Sequence, residues 1–283
     1  MKILFISNLY PPYERGGYEQ LCCDVAQLMS ARGHEITILT STFKVDQETI
    51  EPGVHRRLWL ESDVYYYHPR QVLKYRSIQA HNRHVIEETL REVAPDVVVV
   101  WGMWELSKDV AAQLEELMGS RVLYYLASSW PVELSAHEAY WDGSDDNALG
   151  RSFKRIFRGM VKARLRSEWR PYSLRYDRVL ACCQSVCEEL AAAHIEIRDM
   201  QVVYHGVDAE PYTRAARLAK NQDTDQLKVV FVGSLIPHKG VHTAIEAMAQ
   251  LRRIDATLPV TLDILGKGHP DYEAQLRAMV DRL

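Results

Sequence analysis

NLYPPYERGGYE, Asn8 to Glu19, decides how this chain is built. A short apolar run, Lys2 to Ser7, precedes it with the length and flanks of a buried strand. After it, Tyr18, Leu21, Cys22, Val25, Leu28 and Met29 recur at steps of three and four, the period of a helix. Gly33 stops that helix, and GHEITILT begins a second strand. Gly16 and Gly17 therefore stand where a strand hands over to a helix. Lacking Cβ atoms, they allow a ligand close to the backbone, where the first free N–H groups of the helix point outward. An anion there gains about 0.3–1 kcal/mol from the helix dipole. A phosphate suits the position, and an ordinary tight βα turn is the alternative.

The same alternation runs outward along the chain. Strands are expected over Gly53–Leu60, Val97–Trp101 and Arg121–Leu126, with helices over Lys74–Val93 and from Ser107 to Gly119. The text between strands carries no hairpin signal, which implies a parallel sheet covered by helices on both faces. After Pro131 the pattern breaks into a loop containing DGSDDN. Asp142, Ser144 and Asp146 have the spacing of calcium-loop ligands, but Asn147 and Phe153 stand where that loop needs Gly and Glu, so no metal site is expected. His137 in this stretch reads as a surface loop residue. Arg151 to Arg178 carries ten Lys or Arg residues against Glu168 and Asp177, with an apolar stripe from Phe153 to Trp169. Such a helix either meets an anionic membrane face or packs its stripe and solvates its charges. The βα rhythm resumes at Arg178–Cys182, Ser185–Leu190 and Gln201–Tyr204. Residues 213–227 are polar and read as a linker, and strand, loop and helix then repeat twice more from Leu227 to Leu283.

A chain of 283 residues fits about two domains. With 47% hydrophobic and 25% charged residues it has the composition of a globular protein, and no apolar run reaches the roughly 18 residues that cross a bilayer. MKILFISN is too short an apolar run for a signal peptide, so a cytoplasmic protein is expected. The net charge of −4 argues against a nucleic-acid partner. None of the five cysteines forms a C-x-x-C pair, so buried free thiols are expected rather than a zinc site or redox dithiol.

Two loops of the second half carry chemistry. In GSLIPHKG, Lys239 precedes Gly240 at a helix start, where a cation can neutralise a diphosphate leaving group or simply face solvent. Gly266-Lys267-Gly268-His269-Pro270 repeats the arrangement after the next strand.

YPPYERGGYE, GHEITILT, VVYHGVDAEPY, VVFVGSLIPHKG and LDILGKGHP, in this order, resemble the GT-B-fold retaining glycosyltransferases of family 4. The resemblance implies two Rossmann-like α/β domains. Residues 1–212 form a complete acceptor-side domain, 213–227 a linker, and 228–283 the first part of a domain that binds a nucleotide sugar. It implies sugar transfer from a nucleotide diphosphate donor without an obligatory metal or other cofactor. Gly16, Gly17, Ser234 and Lys239 would lie at the donor phosphates, Gly266 and Gly268 near the nucleoside, and Glu19 on the acceptor side. If residues 151–178 meet a membrane, the acceptor is lipid-linked and the enzyme sits peripherally on the inner face. Ser234 stands where the family often has Arg, and Ala127–Pro131 (ASSWP) where many members have His, so no catalytic residue is assigned. The family's later acidic motif has no counterpart before Leu283, so the donor site of this chain is expected to be incomplete. A non-catalytic binding protein and a sugar-nucleotide epimerase on the same architecture are the alternatives.

Overall fold

The computed structural model describes residues 1–64, 67–128, 130–142, 157–161, 174–219 and 226–282, and the chain divides into two compact units, Met1–Gly206 and Val207–Leu283. Unit 1 is built on an eight-stranded sheet. Its strands are β1 (Lys2–Ser7), β2 (Glu35–Ser41), β3 (Thr49–Glu51), β4 (Val54–Leu58), β5 (Val97–Gly102), β6 (Val122–Leu126), β7 (Val179–Ala181) and β8 (Met200–Val202), in the order β3-β4-β2-β1-β5-β6-β7-β8. All neighbouring pairs are parallel except β3–β4.

Successive residues of β1 show why the sheet needs cover on both sides. Leu4 and Ile6 join a core with Leu39, Val98 and Val100, closed by Val85 and Ile86 of α2 (Gln71–Val93) and Val110 and Leu114 of α3 (Lys108–Met118). Ile3 and Phe5 face the other way, onto Cys22, Cys23 and Ala26 of α1 (Gly17–Ala31). Period-two alternation on apolar strands thus yields two cores. Ser107 accepts a hydrogen bond from Asp109 N at 3.2 Å as the N-cap of α3.

The antiparallel β3–β4 pair departs from the all-parallel expectation. Its turn is Pro52-Gly53, and Gly53 has φ 76°, the left-handed conformation that a Pro-Gly turn requires of its second residue. Buried Glu115 on α3 anchors the chain after residue 173: its carboxylate accepts from Tyr124 Oη at 2.7 Å, Arg175 N at 2.8 Å and Tyr176 N at 3.0 Å. Unit 1 also contains α4 (Ala136–Asp142) and α5 (Gln184–Ala192). Of the stretch 151–178, only 157–161 and 174–178 are described, so the basic amphipathic helix expected there lies largely outside the described residues, as does most of the DGSDDN loop. Among the described residues no helix is long and apolar enough to cross a membrane, and no three metal-capable side chains gather.

Unit 2 begins with a helix, α6 (Glu210–Ala219), where the sequence suggests a linker from 213. Two parallel strands follow, β9 (Leu227–Val232) and β10 (Val260–Leu265), with α7 (Val241–Ile254) and α8 (Pro270–Arg282). Leu235, Val241, Ile245 and Leu276 form the small core, with Phe231, Leu262 and Ile264 packed on it. Val230, Val232 and its register partner Leu265 are exposed on the other face of the pair.

Candidate active site

In unit 1 the strand order reverses at β1, which lies between β2 and β5. In sheets of this kind ligands meet the C-terminal strand ends at such a switch point. The glycine loop follows β1. Gly16 is the extended N-cap of α1, and its N–H donates to Glu19 Oε2 at 2.9 Å. Glu19 is buried, and its side chain caps the Gly16 N–H at the start of the helix. A Cβ on Gly17 would meet nothing within 4 Å, which leaves open space at the first helical residue.

Two side chains hold this loop in place. Arg56 of β4 is buried and donates to the Tyr10 and Pro11 carbonyls at 3.2 and 2.6 Å, with the Tyr13 ring 5.1 Å from its guanidinium. Tyr18 stacks on Trp101, and Trp101 on Tyr125, with ring centroids 5.6 and 4.2 Å apart. The Tyr18 hydroxyl lies between the Trp101 and Tyr125 carbonyls, and Trp101 Nε1 donates to Tyr18 O at 3.0 Å. The start of α1 is thereby tied to the ends of β5 and β6.

Glu105, just beyond β5, was not singled out by the sequence. Its backbone is left-handed at φ 57°, which is uncommon for a residue with a Cβ, and its carbonyl accepts from Glu61 N at 2.8 Å. Oε2 is buried without a hydrogen-bond partner among the described residues. Burial pushes the carboxyl up to about 7; Glu19, Asp63 and Glu133 reinforce the shift, and Arg15 opposes it. Near neutral pH this carboxyl is poised between its two forms and can take a proton from a hydroxyl.

His137 is on α4 and fully buried, not on a surface loop. Nδ1 lies 2.6 Å from the Tyr67 hydroxyl and Nε2 lies 3.9 Å from Glu61 Oε2. Burial lowers its pKa to about 4, so the ring is neutral at physiological pH. Ser128, in the ASSWP stretch, has a buried Oγ without a partner among the described residues; Ser129 lies outside them. A separate cavity of about 200 Å³ is lined by Arg178, Asp199 and Gln201, at the opposite ends of the strands from Glu105.

In unit 2, Ser234 and Lys239 are exposed. Lys239 closes a 3-10 turn, Pro237–Lys239, and Gly240 follows as the left-handed N-cap of α7. Gly266 and Gly268 have an internal reason to lack side chains. A Cβ on Gly266 would collide with the Gly233 carbonyl, and one on Gly268 with the Leu235 carbonyl. The two loops are zipped together by Gly233 N to Leu265 O at 3.0 Å and Leu235 N to Lys267 O at 2.9 Å. The Gly268 N–H donates to Glu273 Oε1 at 2.7 Å.

The sequence matches the model of Glycosyltransferase Family 4 over residues 15–211, more than half of the chain. Among solved structures, sucrose-phosphate synthase from Thermosynechococcus elongatus aligns over 99% of this chain and 66% of its own, with TM-score 0.60 and 18% identity. A glycosyltransferase from Rickettsia africae aligns over 99% and 65%, with TM-score 0.54 and 14% identity. The catalytic domain of starch synthase IV from Arabidopsis thaliana, bound to ADP and acarbose, aligns over 100% and 71%, with TM-score 0.54 and 12% identity. At these identities the likeness is one of fold: α/β, Rossmann-like, of the GT-B type. The chain spans about two thirds of the length of these structures. No curated protein matches it.

Proposed function

The chain belongs to glycosyltransferase family 4, and we propose that it transfers a sugar from a nucleotide diphosphate donor to an acceptor hydroxyl, with retention and without an obligatory metal ion. The observation that carries the proposal is the family match over 15–211, which contains both the glycine loop and Glu105 at the strand-order switch point. In unit 1, Gly16 and Gly17 leave room for a phosphate-bearing ligand, Glu19 fixes the loop on the acceptor side, and Glu105 accepts the proton of the attacking hydroxyl. In unit 2, Lys239 and the Ser234 loop meet the diphosphate, while Gly266 and Gly268 shape the nucleoside side. The acceptor oxygen forms its bond to the anomeric carbon as the carbon–oxygen bond to the diphosphate breaks. The diphosphate leaves with the electron pair, and Lys239 neutralises its charge. A lipid-linked acceptor follows if the basic stretch 151–178 meets the inner membrane face from the cytoplasm.

The test is incubation of the full-length protein with uridine, guanosine and adenosine diphosphate sugars, together with lipid-linked and free glycoside acceptors. Product mass and anomeric configuration are then read by NMR. A glycosylated acceptor with the donor's configuration is expected. An inverted product would contradict retention, and release of an epimerised sugar would favour epimerase chemistry. Donor binding without turnover would favour a binding protein.

A further inference from the structure

The five cysteines are all free, but they are not alike. Cys22, Cys23 and Cys187 are buried, as the sequence suggests for all of them, whereas Cys182 and Cys183 are only half-buried. The two adjoin the end of β7, and Cys183 is the N-cap of the nine-residue helix α5, with extended backbone (φ −161°, ψ 167°). Cys182 Sγ lies 3.8 Å from Cys183 Sγ, with its S–H directed at that sulfur.

We propose that Cys182 and Cys183 form a reversible thiol switch in which a hydroperoxide oxidises Cys183 and Cys182 resolves the product to a disulfide. The surroundings give the two sulfurs different roles. The Val186 N–H at the start of α5 and the Cys182 thiol favour the Cys183 thiolate and hold its pKa below the ordinary value; the Ser185 N–H adds to this, against slight burial and Glu189. Burial and the neighbouring Cys183 keep Cys182 protonated, pushed up to about 11. Cys183 is thus the nucleophile and Cys182 the proton-bearing partner beside it, the arrangement that suits a redox-sensing pair. Cys187 is engaged elsewhere, with Sγ 3.6 Å from the Cys183 carbonyl, and burial raises its pKa.

The chemistry balances in two steps. The Cys183 thiolate attacks the distal oxygen of the peroxide, the O–O bond breaks, and hydroxide (or alkoxide) leaves with the electron pair, giving a sulfenic acid. The Cys182 thiol loses its proton and attacks that sulfur, the S–O bond breaks, and water leaves. The α-carbons of adjacent residues are about 3.8 Å apart across a trans peptide, shorter than the usual span of about 4.4–6.8 Å in a disulfide. The bond formed is strained and readily reduced, which makes the switch reversible. Cys182 N donates to Leu126 O at 2.9 Å, and Cys182 packs beside Tyr125, so closure would pull directly on the strand ends next to the candidate active site.

The experiment exposes the 283-residue protein to a small excess of hydrogen peroxide and reads the intact mass. Wild type should lose roughly 2 mass units, restored by dithiothreitol, and Cys187→Ser should do the same; Cys182→Ser should gain roughly 16 instead, in a form trapped by dimedone. Cys183→Ser should be inert at that dose. A second measurement needs no variant: limited iodoacetamide labelling of wild type, mapped by peptide mass, should modify Cys183 ahead of the other four. Loss of the disulfide product in Cys187→Ser, unchanged oxidation in Cys183→Ser, or equal labelling of all five thiols would overturn the proposal.

Discussion

Replacing Glu105 by Gln separates a poised carboxyl from an ordinary surface acid. In the folded chain burial lifts this carboxyl from the ordinary 4.5 to about 7. The folded state therefore binds the proton more tightly than the unfolded one. The stability gained this way is complete below pH 4.5 and is lost as pH rises through about 7. The full difference corresponds to at most about 3.4 kcal/mol; water reaching the half-buried side chain reduces it to about 1–2 kcal/mol. Gln has the same shape and no charge at any pH. Glu105→Gln should therefore match wild type at pH 4 and exceed it by about 1–2 kcal/mol at pH 8. All six tryptophans of the chain lie between Trp59 and Trp169, so urea unfolding followed by tryptophan fluorescence reports unit 1 alone. A difference that does not change with pH, or a variant weaker than wild type at pH 8, would refute the assignment of Glu105 as a carboxyl whose pKa is raised by its buried site.

His137 behaves in the opposite sense: burial depresses its pKa from 6.5 to about 4, so its contribution is present above pH 6.5 and is lost as pH falls through about 4. His137→Gln should flatten the acid limb of the unit 1 stability curve measured by the same fluorescence. Tyr18→Phe removes the hydroxyl between the Trp101 and Tyr125 carbonyls and should cost about 1–3 kcal/mol in urea unfolding, because its one O–H no longer serves either buried acceptor. Gly266→Ala drives a methyl group into the Gly233 carbonyl, so hydrogen exchange should show β9 and β10 opening faster while unit 1 is unchanged.

Much of unit 1 was legible because its central strands are continuous apolar runs such as VVVVW, which suit a sheet covered on both faces. The β3–β4 hairpin escaped because β3 is a three-residue edge strand too short for a periodic pattern, although Pro52-Gly53 was a turn signal. Helix α6 was missed because the polar run 220–226 (KNQDTDQ) that follows it made the whole stretch resemble a linker in one dimension. The burial of His137 had a signal: Tyr140 and Trp141 stand three and four residues on, the spacing of one helix face. Glu105 had none, since its chemistry arises from a left-handed turn and from neighbours drawn from Arg15 to Glu133. Gly266 and Gly268 show a further limit of sequence. A glycine that admits a ligand and one that admits a neighbouring carbonyl look alike until the loops are seen together.

The central claim, that this family 4 chain handles a nucleotide diphosphate donor through the loop before α7, is tested most directly by calorimetry. Wild type and Lys239→Ala are titrated with uridine, guanosine and adenosine diphosphates. At least one nucleotide should bind wild type, and loss of the Lys239 charge should weaken it by about 1.5–3 kcal/mol, roughly ten- to a hundredfold. Equal affinity of the two proteins for every nucleotide that binds, or no binding to wild type at all, would contradict the account.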